Sequence, residues 1–198
     1  MKLNWAERWV VNNPLRVVQQ RMELKKLKAM LPLKPHFTAL EIGCGRAAGA
    51  GLILEEFLPS MIYATDLDVH MLEKARDYLP SEKRKNIVLV AADGSSLPFR
   101  DGSIDAVFDF GVLHHIVDWR RAVSEIARVL KPEGAFFLEE LYPTLYQNLI
   151  TRHILLHPRR GRFRSDDLKH SLAREGLLFK DCRELKAVGI LGVALKAP

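Results

Sequence analysis

From residue 38 onward the chain alternates short apolar runs with segments of helical period, and this rhythm limits its fold more than any other feature. Apolar runs at Thr38–Ile42, Met61–Thr65, Ile87–Ala91, Ile104–Phe110 and Ala135–Leu138 predict strands. Between them, Ala47–Phe57, Val69–Tyr78 and Trp119–Leu130 carry helical spacing, with Asp68 as the expected cap of the second helix. Alternation of this kind predicts a parallel sheet with helices on both faces. The runs AVFDF and AFFL contain almost nothing polar, as strands buried on both sides require. Pro132-Glu133-Gly134 reads as the turn into the fifth strand. Leu177–Cys182 and Val188–Leu195 are close in sequence and predict an antiparallel pair at the sheet edge. The expected fold class is α/β, a doubly wound and mostly parallel sheet.

The two ends read differently. Residues 3–31 look helical, with Leu15, Val18 and Met22, then Leu24, Leu27 and Leu31, at three- and four-residue spacings. Pro14 is expected to divide this stretch into two helices, because proline cannot donate to the preceding turn. Residues 142–156 predict another helix, followed by a basic loop at 157–164. Ser165 is expected to cap a helix that runs to about Arg174 and ends at Gly176. The net charge of +6 is unevenly spread. Residues 1–37 hold 8 Lys and Arg against 2 acids, residues 38–141 hold 11 against 17, and residues 142–198 hold 11 against 5. Basic ends on an acidic middle are either solvated helix faces or surfaces for an anionic partner. Organisation is read as an N-terminal helical cap, 1–37, and a main domain, 38–198, with 142–175 inserted on the substrate side. Glu7 and Arg8 interrupt any leader-like apolar run, and no stretch has 18 uninterrupted apolar residues. The two cysteines are too few for a disulfide framework, so a reduced, cytoplasmic protein is expected.

The chemistry collects at strand ends. Gly43 and Gly45 follow the first strand and permit a tight turn with backbone pressed close to a ligand. In open α/β sheets ligands bind beyond the carboxyl ends of the strands, where the strand order reverses. Gly43-x-Gly45-x-x-Ala48 also fits a loose dinucleotide pattern, which leaves a nicotinamide-dependent oxidoreductase open. Three acids shift the balance. Glu41, two residues before Gly43, disfavours a pyrophosphate and suits a cationic group, such as the ammonium and sulfonium of S-adenosylmethionine. Asp66 ends the second strand, where a carboxylate can accept both ribose hydroxyls. Asp93 follows the third strand, within reach of an adenine amino group.

Four motifs in order carry a resemblance. LEIGCGRA (40–47), ATDLDVHMLEKAR (64–76), AADGSSLPFRDGSIDAVFDFGVLHH (91–115) and EIARVLKPEGAFFLEE (125–140) resemble the class I S-adenosylmethionine-dependent methyltransferases. Within that family they are most similar to the small-molecule group of ubiquinone and menaquinone biosynthesis enzymes. The resemblance covers about residues 38–141. It implies a Rossmann-like sheet of seven strands with the last antiparallel. It implies Glu41, Gly43 and Gly45 around the methionine part of the cofactor, Asp66 on the ribose and Leu67 beside the adenine. It also implies Asp93 and Gly94 at the adenine, with Phe110 and Gly111 closing over the cofactor. Two positions depart from the family pattern: Ala47 stands where a third glycine is common, and Asp109 where a small or hydroxyl residue is usual.

Methyl transfer to oxygen or nitrogen can need a base. Asp109 and His114 are the leading candidates, with His115, Glu140 and Tyr142 beside them. Adjacent histidines point about 100° apart on a helix and no Cys/His cluster is near, so no metal is expected. The family's substrate site would be built from residues 1–37 and 142–175, the two basic segments. Arg159 and Arg160 are therefore expected to meet an anionic, small or lipid-like acceptor. Trp5, Arg8 and Trp9 lie at helical spacing and suit docking on the domain, a lid, or a peripheral membrane contact. No RNA-binding module is visible, which argues against nucleic acid. A non-catalytic nucleotide-binding protein on the same fold is the remaining alternative.

Overall fold

A computed structural model describes residues 13–146 and 162–198. The elements are α1 (Pro14–Met30), β1 (Thr38–Ile42), α2 (Ala48–Phe57), β2 (Met61–Asp66), α3 (Val69–Tyr78) and β3 (Ile87–Ala91). Then come β4 (Ile104–Phe110), a 3₁₀ turn at Leu113–His115, α4 (Trp119–Val129) and β5 (Leu130–Leu141). The short α5 (Pro143–Tyr146), α6 (Ser165–Arg174), β6 (Leu177–Leu185) and β7 (Gly189–Lys196) complete the order.

One sheet of seven strands runs β3-β2-β1-β4-β5-β7-β6. The strands from β3 to β5 pair in parallel, and β7 runs antiparallel between β5 and β6. The order reverses between β1 and β4, so the switch point lies beyond Ile42 and Phe110. The expected α/β class with one antiparallel strand holds. The last pair, β6 and β7, is antiparallel at the sheet edge as expected, with β6 as the outer strand. Ile190, Val193 and Ala194 of β7 are fully apolar and buried, whereas β6 alternates with exposed residues such as Lys180 and Arg183.

Side chains alternate across the sheet with period two. Val107 and Phe136 face one core with Trp119 and Phe163, while Phe108 and Phe137 face the other with Leu24, Leu27 and Phe57. Phe108 and Phe137 stack at 4.7 Å on neighbouring strands. Leu24 and Leu27 thereby fasten α1 to the sheet side that also carries α2.

Several ends follow the expected local chemistry. Asn13 accepts from Leu15 N at 2.9 Å, and Pro14 starts α1 where no amide donor is needed. The helix expected before Pro14 lies outside the described residues. Asp68 caps α3 through His70 N at 3.2 Å. Two ends depart. The turn at Pro132–Gly134 lies inside the long β5 as an irregularity: Ile104 pairs with Leu130, and the next pair is Ala106 with Ala135. Glu133 takes φ 61° there. At α6 the cap position is Arg164 and not Ser165, because the Asp167 carboxylate accepts from Arg164 N at 2.9 Å. The helix expected over 142–156 is described only through Tyr146.

Candidate active site

A cavity of about 420 Å³ opens at the carboxyl ends of β1, β2, β3 and β4. All nine residues that the resemblance assigned to a cofactor line it: Glu41, Gly43, Gly45, Asp66, Leu67, Asp93, Gly94, Phe110 and Gly111.

The turn from β1 to α2 is built by left-handed backbone. Gly43 has φ 60° and Gly45 φ 55°. A Cβ on Gly43 would lie 2.4 Å from Val112 Cγ2, so the opposite wall presses on this backbone. Ala47 also takes φ 60°, a conformation that costs an L residue roughly 1–2 kcal/mol and a glycine little. This is the position where the family pattern commonly carries a third glycine. Asp66 ties the turn to β2. Its Oδ2 accepts from Gly45 N and its Oδ1 from Asp68 N, both at 2.8 Å. Burial raises the Asp66 carboxyl above its ordinary range despite those two amides.

Glu41 is the deepest acid on the wall. It is 2% exposed, and burial pushes it up to about 8, opposed by the Ala50 amide. Gly49 makes room for it, since a Cβ there would sit 2.0 Å from Glu41 Oε1. Glu41 Oε2 has no hydrogen-bond partner among the described residues. An orphaned carboxylate oxygen on a cavity wall fits a ligand that brings a cationic donor.

The fourth wall is the segment from Gly111 to Asp118, held from behind by acids of β4 and β5. Val112 N donates to Asp109 Oδ1 at 2.9 Å, Leu113 N to Glu140 Oε1 at 2.7 Å, and Gly111 N to the Glu139 carbonyl at 2.7 Å. His114 Nδ1 lies 2.6 Å from Glu140 Oε2. Burial raises Asp109 well above its ordinary range and Glu140 to about 8. Neither Asp109 nor His114 is on the cavity wall, whereas His115 is. Tyr142 is buried and donates to Glu184 at 2.8 Å, away from this wall. Arg159, Arg160, Trp5, Arg8 and Trp9 lie outside the described residues. Among the described residues, no group of three or more His, Cys, Asp and Glu could hold a metal.

Residues 40–138 match the protein-family model described as a methyltransferase domain. The chain belongs to this methyltransferase family. A demethylmenaquinone methyltransferase of Corynebacterium urealyticum is 30% identical over 152 residues, covering 72% of this chain and 61% of that protein. The chain thus spans about three fifths of that relative's length. Among solved structures, the methyltransferase of a Haloferax volcanii complex with its Trm112 activator superposes with TM-score 0.77 at 16% identity, covering 100% of both chains. An S-adenosylmethionine-dependent methyltransferase of Mesorhizobium loti reaches 0.70 at 18% identity, covering 87% of this chain and 96% of that one.

The family motifs do not reach every wall residue. Arg16 and Gln20 of α1 line the cavity, and Arg16 Nη2 bonds Glu139 Oε2 at 2.6 Å while Nη1 holds Glu23 at 3.0 Å. No local pattern announces an ion pair across 123 positions. Met71, Ile116 and Val117 supply the apolar walls beside Leu67. No role is expected of them from the sequence; their place at the switch point turns them toward the cavity.

Proposed function

We propose that the chain is a methyltransferase that binds S-adenosylmethionine in this cavity. The observation that carries the reading is the row of Glu41, Asp66 and Asp93 along one cavity wall, with a buried Glu41 oxygen left for a cationic donor. Glu41 suits the ammonium, Asp66 the ribose hydroxyls, and Asp93 with Gly94 the adenine edge. Leu67, Met71 and Ile116 offer apolar surface for the adenine faces. A pyrophosphate would meet Glu41 at close range, which weighs against the nicotinamide alternative.

When bound, the cofactor supplies a methyl on a sulfonium, already a good leaving group. The chain's own residues need to align an acceptor with it and to exclude water. Phe110, Gly111 and Val112 crowd the glycine turn from across the cavity and suit that task. Asp109 and His114 serve in this reading by holding the Gly111–Asp118 wall, and His115 is the histidine that reaches the cavity. The acceptor is read as small or lipid-like with a negative group, met by the basic segments that include Arg159 and Arg160.

Isothermal titration with S-adenosylmethionine, S-adenosylhomocysteine and NADH on wild type and Asp66→Ala tests the core of this reading. Binding of the first two that falls more than about 100-fold in the variant supports it. Preference for NADH, or no binding of the first two, overturns it. For the acceptor, Arg159→Glu with Arg160→Glu is expected to raise KM for anionic acceptors and leave cofactor affinity unchanged.

A further inference from the structure

The helix α1 has two apolar faces. Leu24 and Leu27 are fully buried against the sheet. On the opposite side Leu15, Val18 and Met22 are 73%, 58% and 54% exposed. At 100° per residue these three fall within about 60° of one another, and Lys25, Lys26 and Ala29 continue the same outward face. Lys25 and Lys26 are exposed. The neighbouring cations turn inward instead: Arg21 pairs with Glu55 and Glu56, and Lys28 bonds the Glu56 carbonyl. Thus α2 neutralises one flank of α1, while the outward face keeps an apolar stripe beside two exposed lysines.

We propose that this outward face of α1 docks on an anionic lipid surface. An apolar stripe flanked by lysines matches the two terms that hold a helix in a bilayer interface, apolar insertion and attraction to acidic headgroups. A soluble helix surface has no need to expose three large apolar side chains in register. The charge on the same face selects the occupant, because Lys25 and Lys26 oppose an apolar protein partner and a second copy of themselves. Among the described residues no helix is long and apolar enough to cross a membrane, so the contact is peripheral. The inner side of the same helix places Arg16 and Gln20 on the cavity wall. Docking therefore sets the cavity beside the lipid surface, within reach of an acceptor dissolved in it. The docking face itself does not rest on the cofactor reading.

Flotation of the full chain with vesicles tests it. The vesicles are phosphatidylcholine alone, or phosphatidylcholine with about one-third phosphatidylglycerol. Wild type is expected to float with the anionic vesicles and not with the zwitterionic ones, and to be released by high salt. Lys25→Glu with Lys26→Glu is expected to lower partitioning by roughly tenfold or more, and Val18→Ser with Met22→Ser by about tenfold. Both double variants should keep the wild-type melting temperature and cofactor affinity, because these side chains touch neither core nor cavity. The idea fails if wild type stays unbound, or if both variants float as wild type does. It also fails if light scattering shows a dimer that Val18→Ser with Met22→Ser dissolves while no vesicle binds. A crosslinker at position 18 that captures residues 1–12 of the same chain, again without vesicle binding, would equally assign the face to the chain's own N-terminal segment.

Discussion

The two ends of the cavity use the same side-chain chemistry in opposite electrical states. At the β1 and β4 end the acids are buried, and Glu41 stands at about 8 because water is excluded from it. At the β3 end Asp93 is exposed, and its carboxylate lies below its ordinary range because Ser95 donates both a backbone N–H at 2.8 Å and a hydroxyl at 2.7 Å. A strand-end acid is therefore not one kind of group. The deep acid is held near neutrality until a cation arrives, whereas the outer acid is charged already and has little left to gain. Ligand binding should lean on the deep end, and each prediction below tests that imbalance.

The largest effect is expected from closing the deep end. Gly43→Ala adds a Cβ 2.4 Å from the Val112 side chain at a φ of 60°. Valine cannot rotate away from such a contact cheaply. Cofactor titration should show a loss of more than about 100-fold, with a melting temperature several degrees lower. Unchanged affinity would mean that the ligand does not use this turn.

Glu41→Gln comes next. The amide keeps the shape of the neutral acid but cannot become an anion. Affinity for S-adenosylmethionine should fall by about 10- to 100-fold with folding intact. A second readout is specific to charge. Since Glu41 stands at about 8, binding a cation at neutral pH should expel a proton from it. Titrations in buffers of different ionisation heat should show that release in wild type and lose it in Glu41→Gln. The free protein should report the same acids through its stability. Glu41 and Glu140, ordinarily near 4.5, are both raised to about 8 when folded, so the folded state holds more protons than the unfolded chain between those values. Stability then falls as pH rises from about 5 to about 8, by up to about 1.4 kcal/mol per pH unit for each such carboxyl. Thermal melts across that window should decline, and should decline less in Glu41→Gln.

How much of this could be read beforehand differs between the same two regions. The strands Thr38–Ile42, Ile87–Ala91 and Ile104–Phe110 were legible to the residue as apolar runs bounded by polar punctuation. Burial on both faces accounts for the first and third, whereas the edge strand Ile87–Ala91 leaves Val88 and Ala91 exposed. That the nine positions the resemblance assigned to a cofactor would gather around one cavity was legible, because they lie at the ends of four strands that the parallel order brings together. The buried knot behind the wall was not. Asp109 and His114 read as catalytic candidates in the sequence. Asp109 accepts locally from Val112 N three residues on, but the Glu140 partner of His114 is set by the register of β4 on β5, which no local pattern encodes. Arg16 was invisible for the same reason, since its cavity position depends on α1 lying over the sheet. The left-handed Ala47 was noticed only as a missing glycine, and its φ of 60° gives that departure a conformational cost.

The smallest effect is expected at the outer end, and it separates the two ends most directly. In Asp93→Asn the carbonyl oxygen still accepts from Ser95 N and from an adenine amino group, so only the charge is lost. That charge is exposed and already served by Ser95, and a screened charge contributes little to a neutral ring. Affinity should change by less than about threefold, and proton release at neutral pH should stay as in wild type, because Asp93 is ionised throughout that range. The contrast with Glu41→Gln rests on burial alone, since both substitutions exchange a carboxylate for its amide. Equal losses at the two positions would show that net acidity of the cavity, and not the desolvation of its deep end, sets the affinity.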